Sequence, residues 1–355
     1  MKRTRNTKIS PRRNAVSTDW RVGDDGTVDR AESDTAFGRW EADLESWAGR
    51  CGSDVIRMAD RWDRVIAAVA GAGAEGIRVS NAVALSARSV ERAGFRRRDG
   101  CLEITWPEGR FVSDLDDWGS AYLEMHGRES PSRLCAFAAS GRPLVEFLLA
   151  AEQVERLAHH LPALEHDCQR PHPPPVVSSS GPRVHRSTLK REALHAEWRH
   201  GHDTASIDEL CRRFRIARSE LFDQLDDRWT TKIRRFEIDR FVERLAGAAV
   251  SVEVGVVASG TEIRRRAELR HLRSTRKGLL FDVGDVSVAV DRRRIDGAFV
   301  IRKPTGHGIE RALEIFHDAE GRDLWMKLPA DAGFHAQMTW RSCSVTDPGR
   351  SCRDG

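Results

Sequence analysis

Alternation of apolar and polar positions is clearest near the end of this chain. Between residues 281 and 318, Val286, Val288 and Val290 recur at period two, and Ile295, Ala298, Val300 and Ile301 resume after a basic corner. The segment therefore predicts antiparallel strands with one buried face. The loop PTGHG places Pro304, Gly306 and Gly308 where the chain must reverse, so a third strand over 312–316 follows, with GRDLWMKL at 321–328 as its hairpin partner. Helical spacing governs other stretches. Trp40, Leu44, Trp47 and Ala48 share a face, as do Trp62, Val65, Ile66 and Val69, and helices are expected over 154–164, 189–199, 206–214 and 218–225. Short strands are expected at Val55 and over 77–85, 100–106, 111–115, 121–125, 134–138 and 144–149.

The pattern repeats. Leu134, Phe137, Gly141, Arg142 and Leu144 recur as Leu313, Phe316, Gly321, Arg322 and Leu324, and DRVI at 63–66 answers DRFV at 239–242. Two matches in the same order, at an offset of roughly 180 residues, predict a duplicated unit of helices followed by a sheet. The 355 residues are enough for two such units. The expected organisation is a disordered basic tail at 1–35, a first half at 36–166, a Pro/Ser-rich linker at 167–188, a second half at 189–345 and a short disordered tail at 346–355.

Composition narrows the function. Lys and Arg nearly balance Asp and Glu, giving a net charge of +4, so bulk charge does not call for nucleic acid as a partner. Seven scattered cysteines without a CxxC pair fit a reducing cytoplasm and argue against a zinc site or disulfide framework. No apolar run reaches membrane-spanning length, so a cytoplasmic protein without membrane insertion is expected. No nucleophile triad, phosphate loop, metal-spaced His/Cys cluster or pair of catalytic carboxylates stands out, which leaves conventional hydrolases and dehydrogenases unsupported.

GRCGSDVIRM ahead of an amphipathic helix, IRVSNAV, Trp118 at a strand corner, the GRPL hairpin and the long run RRRIDGAFVIRKPTGHGIERALEIFHDAEGRDL together resemble the HemS/HmuS/ChuS family of bacterial haem-utilisation proteins, also called haemin-degrading factors. The resemblance covers residues 38–345. It implies an α+β fold of two tandem homologous halves, each helices plus a large antiparallel sheet, stacked with a haem-binding cleft between them. It also implies cytoplasmic haem binding, transfer or oxidative degradation in iron acquisition, with haem or another planar anionic ligand as partner and haem transporters or haem oxygenases as protein partners. The family's ligand positions are changed here: its axial histidine falls on Ala205, a second-half strand histidine on Ala289 and a distal arginine on Val112. His202, and after it His200, are then the candidate iron ligands. Arg110 stands two residues from the distal position and needs a strand bulge to reach it. Lys303, with Arg302 beside it, matches the basic position near the haem propionates.

Two other classes compete: a non-enzymatic ligand-binding protein that kept the fold, and a DNA-binding regulator. The second rests on residues 206–225, which read as a helix-turn-helix with Leu210, Phe214, Ile216, Leu221 and Leu225 inward and Arg212, Arg213, Arg215 and Arg218 outward. Its second helix, SELFDQLDD, is acidic where a recognition helix should be basic. The triplet Arg292–Arg294 reads as a solvated sheet edge.

Overall fold

The structure is a computed structural model, and it describes residues 44–51, 55–81, 84–89, 94–98, 100–126, 131–167, 169, 189–200, 206–317 and 322–344. Both expected tails, His202, Ala205 and all of the expected linker except residues 167 and 169 lie outside that set.

The chain runs α1 (Leu44–Gly49), β1 (Val55–Arg57), α2 (Trp62–Ala72), β2 (Gly76–Ser80), β3 (Ala84–Ser89), β4 (Gly94–Arg98), β5 (Cys101–Trp106), β6 (Gly109–Asp114), a 3-10 corner (Leu115–Asp117), β7 (Trp118–Glu124), β8 (Ser132–Ala138), β9 (Pro143–Leu149), α3 (Ala151–Ala158) and α4 (Leu161–Leu164). It then repeats the plan with α5 (Leu189–His200), α6 (Ile207–Phe214), α7 (Arg218–Gln224), β10 (Thr230–Lys232), α8 (Arg235–Gly247), β11 (Ser251–Ala258), β12 (Thr261–Ser274), β13 (Gly278–Val283), β14 (Val286–Asp291), a 3-10 corner (Arg292–Arg294), β15 (Gly297–Thr305), β16 (Gly308–Phe316), β17 (Leu324–Lys327) and α9 (Phe334–Ser344).

Antiparallel pairing assembles two composite sheets. The first is ordered β1-β7-β8-β9-β2-β3-β14-β13-β12 and the second β10-β15-β16-β17-β11-β12-β6-β5-β4. Exchanging the halves converts one order into the other, with the long β12 standing for β3 and β4 together. Each half thus lends three strands to its neighbour's sheet. The seam is polar as well as apolar: Ser113 and Thr261 join their hydroxyls at 2.6 Å, Trp118 donates to Ser113, and the Asn81 amide donates to the carbonyls of Val257 and Asp323.

One continuous core lies between the sheets and α2, α3, α8 and α9, filled by Val65, Phe111, Phe147, Phe241, Val300, Leu313 and Trp340 among others. On the other face of each sheet a smaller cluster seats the remaining helices. In the first half Trp47 of α1 packs on Tyr122 and Phe137; in the second, Trp198 of α5 and Phe222 of α7 pack on Phe299, Ile301 and Phe316.

Several elements differ from the sequence reading. The stretch 77–85 is a hairpin of β2 and β3, and the helix over 154–164 breaks in two where Pro162 opens α4. Pro304 lies inside β15 opposite Ile309, and the reversal falls at Gly306 and His307. Arg292–Arg294 is a helical corner capped by Asp291, whose carboxylate accepts from the Arg293 amide, and not a sheet edge. Gln169, at the start of the expected linker, is pinned to β1: its side chain accepts from the Arg57 amide and donates to the Arg57 carbonyl.

Candidate functional site

Side chains alternate across a strand, so the register of the second sheet states which residues share a face. On the face covered by α5–α7, Phe299, Ile301 and Lys303 of β15 stand beside Glu314, Ala312 and Glu310 of β16. Next come Trp325 and Lys327 of β17, then Gly255 and Glu253 of β11, then Arg264 and Glu262 of β12, and last Arg110 and Val112 of β6. The helices cover β15 and β16, where Leu194, Trp198, Leu221 and Phe222 are buried. Beyond Trp325 the same face is half-exposed.

A ladder of ions runs along this face. Arg218, at the first turn of α7, grips Glu314 through two bonds of 2.6 Å, and both side chains are almost fully buried. Arg322 bridges Glu314 and Glu262, the Trp325 indole donates to Glu262 at 2.7 Å, and Glu253 takes Lys327 and Arg264. Trp325 lies flat over Gly255, where a Cβ would come within 2.3 Å of the ring. Only glycine leaves room for the indole.

The expected site residues are distributed as follows. Lys303 and Arg302, being neighbours on a strand, point to opposite faces. Lys303 faces the helices, half-buried; burial pushes its ammonium below the ordinary lysine value, Glu310 opposes that shift and Arg218 adds to it. Arg302 reaches over the loop after α7, toward the carbonyls of Asp227 and Arg228, and burial likewise lowers its pKa. Directly opposite it stands the buried Arg311, depressed by burial and then by Arg341 and Arg302, a cation the sequence reading missed. Arg110 needs no bulge to share a face with Val112, because β6 pairs in unbroken register with β5 and β12. Its guanidinium pairs with Glu103 at 3.6 Å. Five strand steps, about 24 Å, separate Arg110 from Lys303. Ala289 belongs elsewhere: β14 joins the first sheet, where Ala289 is buried between Leu280 and Leu85 in register. His200 ends α5 exposed to solvent.

No family model matches the chain, and no curated protein matches it. Solved structures do. The Escherichia coli O157:H7 haem-degrading enzyme ChuS superposes with a TM-score of 0.71 at 17% identity over 88% of this chain and 92% of its own. Holo-PhuS, a haem-binding protein from Pseudomonas aeruginosa, superposes with a TM-score of 0.69 at 16% identity over 89% of this chain and 96% of its own. The fold is ChuS-like.

Half-buried cations at the end of β15 suit carboxylates, whereas Trp325 is buried, with Arg322 and Lys327 5.1 and 5.5 Å from its ring. Among the described residues no group of three or more His, Cys, Asp or Glu side chains is placed to hold a metal ion. His195, on α5, faces the Gln224 carbonyl at 2.7 Å and Asp226 at 3.4 Å. Arg218, expected outward, is buried because Glu314 lies beneath it; α6 and α7 use their apolar faces against the sheet, and Asp223 of the second helix is exposed. No described helix is long and apolar enough to cross a membrane.

Proposed function

We propose that this protein handles haem, holding it chiefly through the haem carboxylates. The observation that carries the reading is Lys303, a partly desolvated ammonium on the helix-covered face of the second sheet within a ChuS-like fold. An ammonium drawn partly out of water gains most from an anionic partner, and a propionate is the anion haem offers. Arg110 lies on the same face of the sheet, contributed by the first half and five strands away from Lys303. Haem, when bound, supplies the iron and its redox chemistry; storage, transfer and oxidative opening all begin from this binding step. His202 is the proposed iron donor should the protein provide one, with His200 next to it.

Titration with haemin tests the proposal. A saturable Soret shift at stoichiometric haemin is expected, and spectra of aggregated free haemin alone would refute it. Lys303→Ala should weaken binding by about 1 kcal/mol or somewhat more, the worth of a charge-assisted hydrogen bond. Ala205→His provides the converse: histidine-type ligation appearing in that variant would support the register with the haem-utilisation family.

A further inference from the structure

The two 3-10 corners are an internal control. Each links two strands at the same place in its half, and each is capped in the same manner: Asp114 accepts from the Asp116 amide and Asp291 from the Arg293 amide, both at 3.0 Å. One corner reads Leu-Asp-Asp and the other Arg-Arg-Arg. The turn therefore does not need arginines to form.

The same asymmetry extends to what surrounds the second corner. Arg292 donates to Asp239 of α8 at 2.6 Å, Ser274 at the end of β12 donates to that same carboxylate at 2.7 Å, and the Arg292 amide donates to the Lys277 carbonyl. These bonds hold three basic segments together: the corner, the β12–β13 turn with Arg276 and Lys277, and the start of α8. There Phe236 is 51% exposed, with Arg234 and Arg240 each 5.9 Å from its ring. The carboxylates Asp239 and Asp291 are buried beneath the arginines, whereas Arg293 and Arg294 are exposed. The acids here are Asp296, exposed and 3.9 Å from Arg235, Glu243, exposed on α8 three residues after Arg240, and the half-buried Glu237.

We infer that this surface binds single-stranded nucleic acid. Arginines dominate it: Arg293 sets its own fork on Asp291 and Arg294 lies 3.9 Å from the same carboxylate, while Arg234, Arg240 and Arg276 are exposed. Guanidinium groups match phosphate oxygens two at a time. A lone exposed aromatic between two arginines is a platform for one base, whereas a bilayer would call for several apolar groups around it. The chain's near-neutral bulk charge conceals this local excess.

The experiment is fluorescence anisotropy of a labelled 20-nucleotide single-stranded oligonucleotide with the full chain, at 50 and 200 mM salt. Saturable binding that weakens with salt is expected. The double variant Arg293→Asp with Arg294→Asp writes the first half's own residues into the second corner; it should bind at least about tenfold more weakly, with a salt slope smaller by about 1.4 for two lost phosphate contacts. If that variant fails to fold by circular dichroism, Arg276→Ser with Lys277→Ser serves the same purpose. Phe236→Ala keeps every charge and should cost roughly tenfold on the single strand. Absence of saturable binding at 50 mM salt would overturn the inference, as would undiminished binding by the charge variants. Binding to phosphatidylserine vesicles in place of the oligonucleotide would reassign the surface to membranes, and an unchanged Phe236→Ala variant would remove the base-stacking role and with it the single-strand assignment.

Discussion

Glu314 is closed off from water and held by Arg218 through two short bonds, with Arg322 at 3.6 Å. Removing Arg218 leaves a carboxylate buried without its main partner, so Arg218→Ala should cost about 3–5 kcal/mol in chemical denaturation. Replacing both residues by apolar ones of similar size should recover most of that loss. Glu124 carries the counterpart burden in the first half. Burial alone would raise its pKa, but hydrogen bonds from Arg50 and Arg133 outweigh it and hold the carboxyl below its ordinary 4.5. A carboxyl depressed in the folded state contributes stability above its unfolded pKa, and that contribution is lost as pH falls through the folded value. Wild-type stability should therefore decline below pH 4.5, and Glu124→Gln should be less stable at neutral pH with a shallower decline on acidification. Such residues were hard to read from sequence. Arg218 looked like one more outward arginine of a helix because its partner lies 96 positions away; Lys303 stood out in the sequence because it follows an apolar strand and falls on the basic position of the resembled family.

At the scale of elements, legibility followed apolar content. The hairpin of β16 and β17 carries Leu313, Ile315, Leu324 and Met326 inward, and the sequence predicted its pairing. β12 was missed, for it holds Arg264, Arg265, Arg266, Arg270 and Arg273, with few fully buried positions to betray a strand. Its middle is irregular too: register shifts between Arg270 and Arg273, where His271 takes a φ of 49°. The contact between β11 and β17 gives an element-level prediction. Gly255→Ala puts a methyl into the indole of Trp325, which must tilt and give up its bond to Glu262. The variant should lose about 1–3 kcal/mol, with a red-shifted tryptophan emission as the ring meets water.

For the whole molecule, the duplication was readable from two short matches, whereas the exchange of strands was not, because period-two patterns name a strand without naming its partner. Isolated 189–345 would present the edge of β12 that β6 covers in the full chain, and isolated 36–166 the edge of β3 that β14 covers. Expressed separately the two segments should be insoluble or aggregated, and co-expressed they should purify together. Soluble, monomeric separate segments with native-like circular dichroism would count against this.

The shared strands also set an order of events during synthesis. β3 leaves the ribosome early, yet its neighbour β14 begins at residue 286, roughly two hundred residues later. At ordinary translation rates that is an interval of about ten to forty seconds. Throughout it the nascent first half carries an open sheet edge, and β6 waits similarly for β12. Productive folding must then wait for the second half, through pairings distant in sequence and so slow to form. The nascent chain is a natural client for chaperones that shield exposed strands, and a pause introduced by rare codons between β9 and β12 would prolong its exposure rather than help it fold.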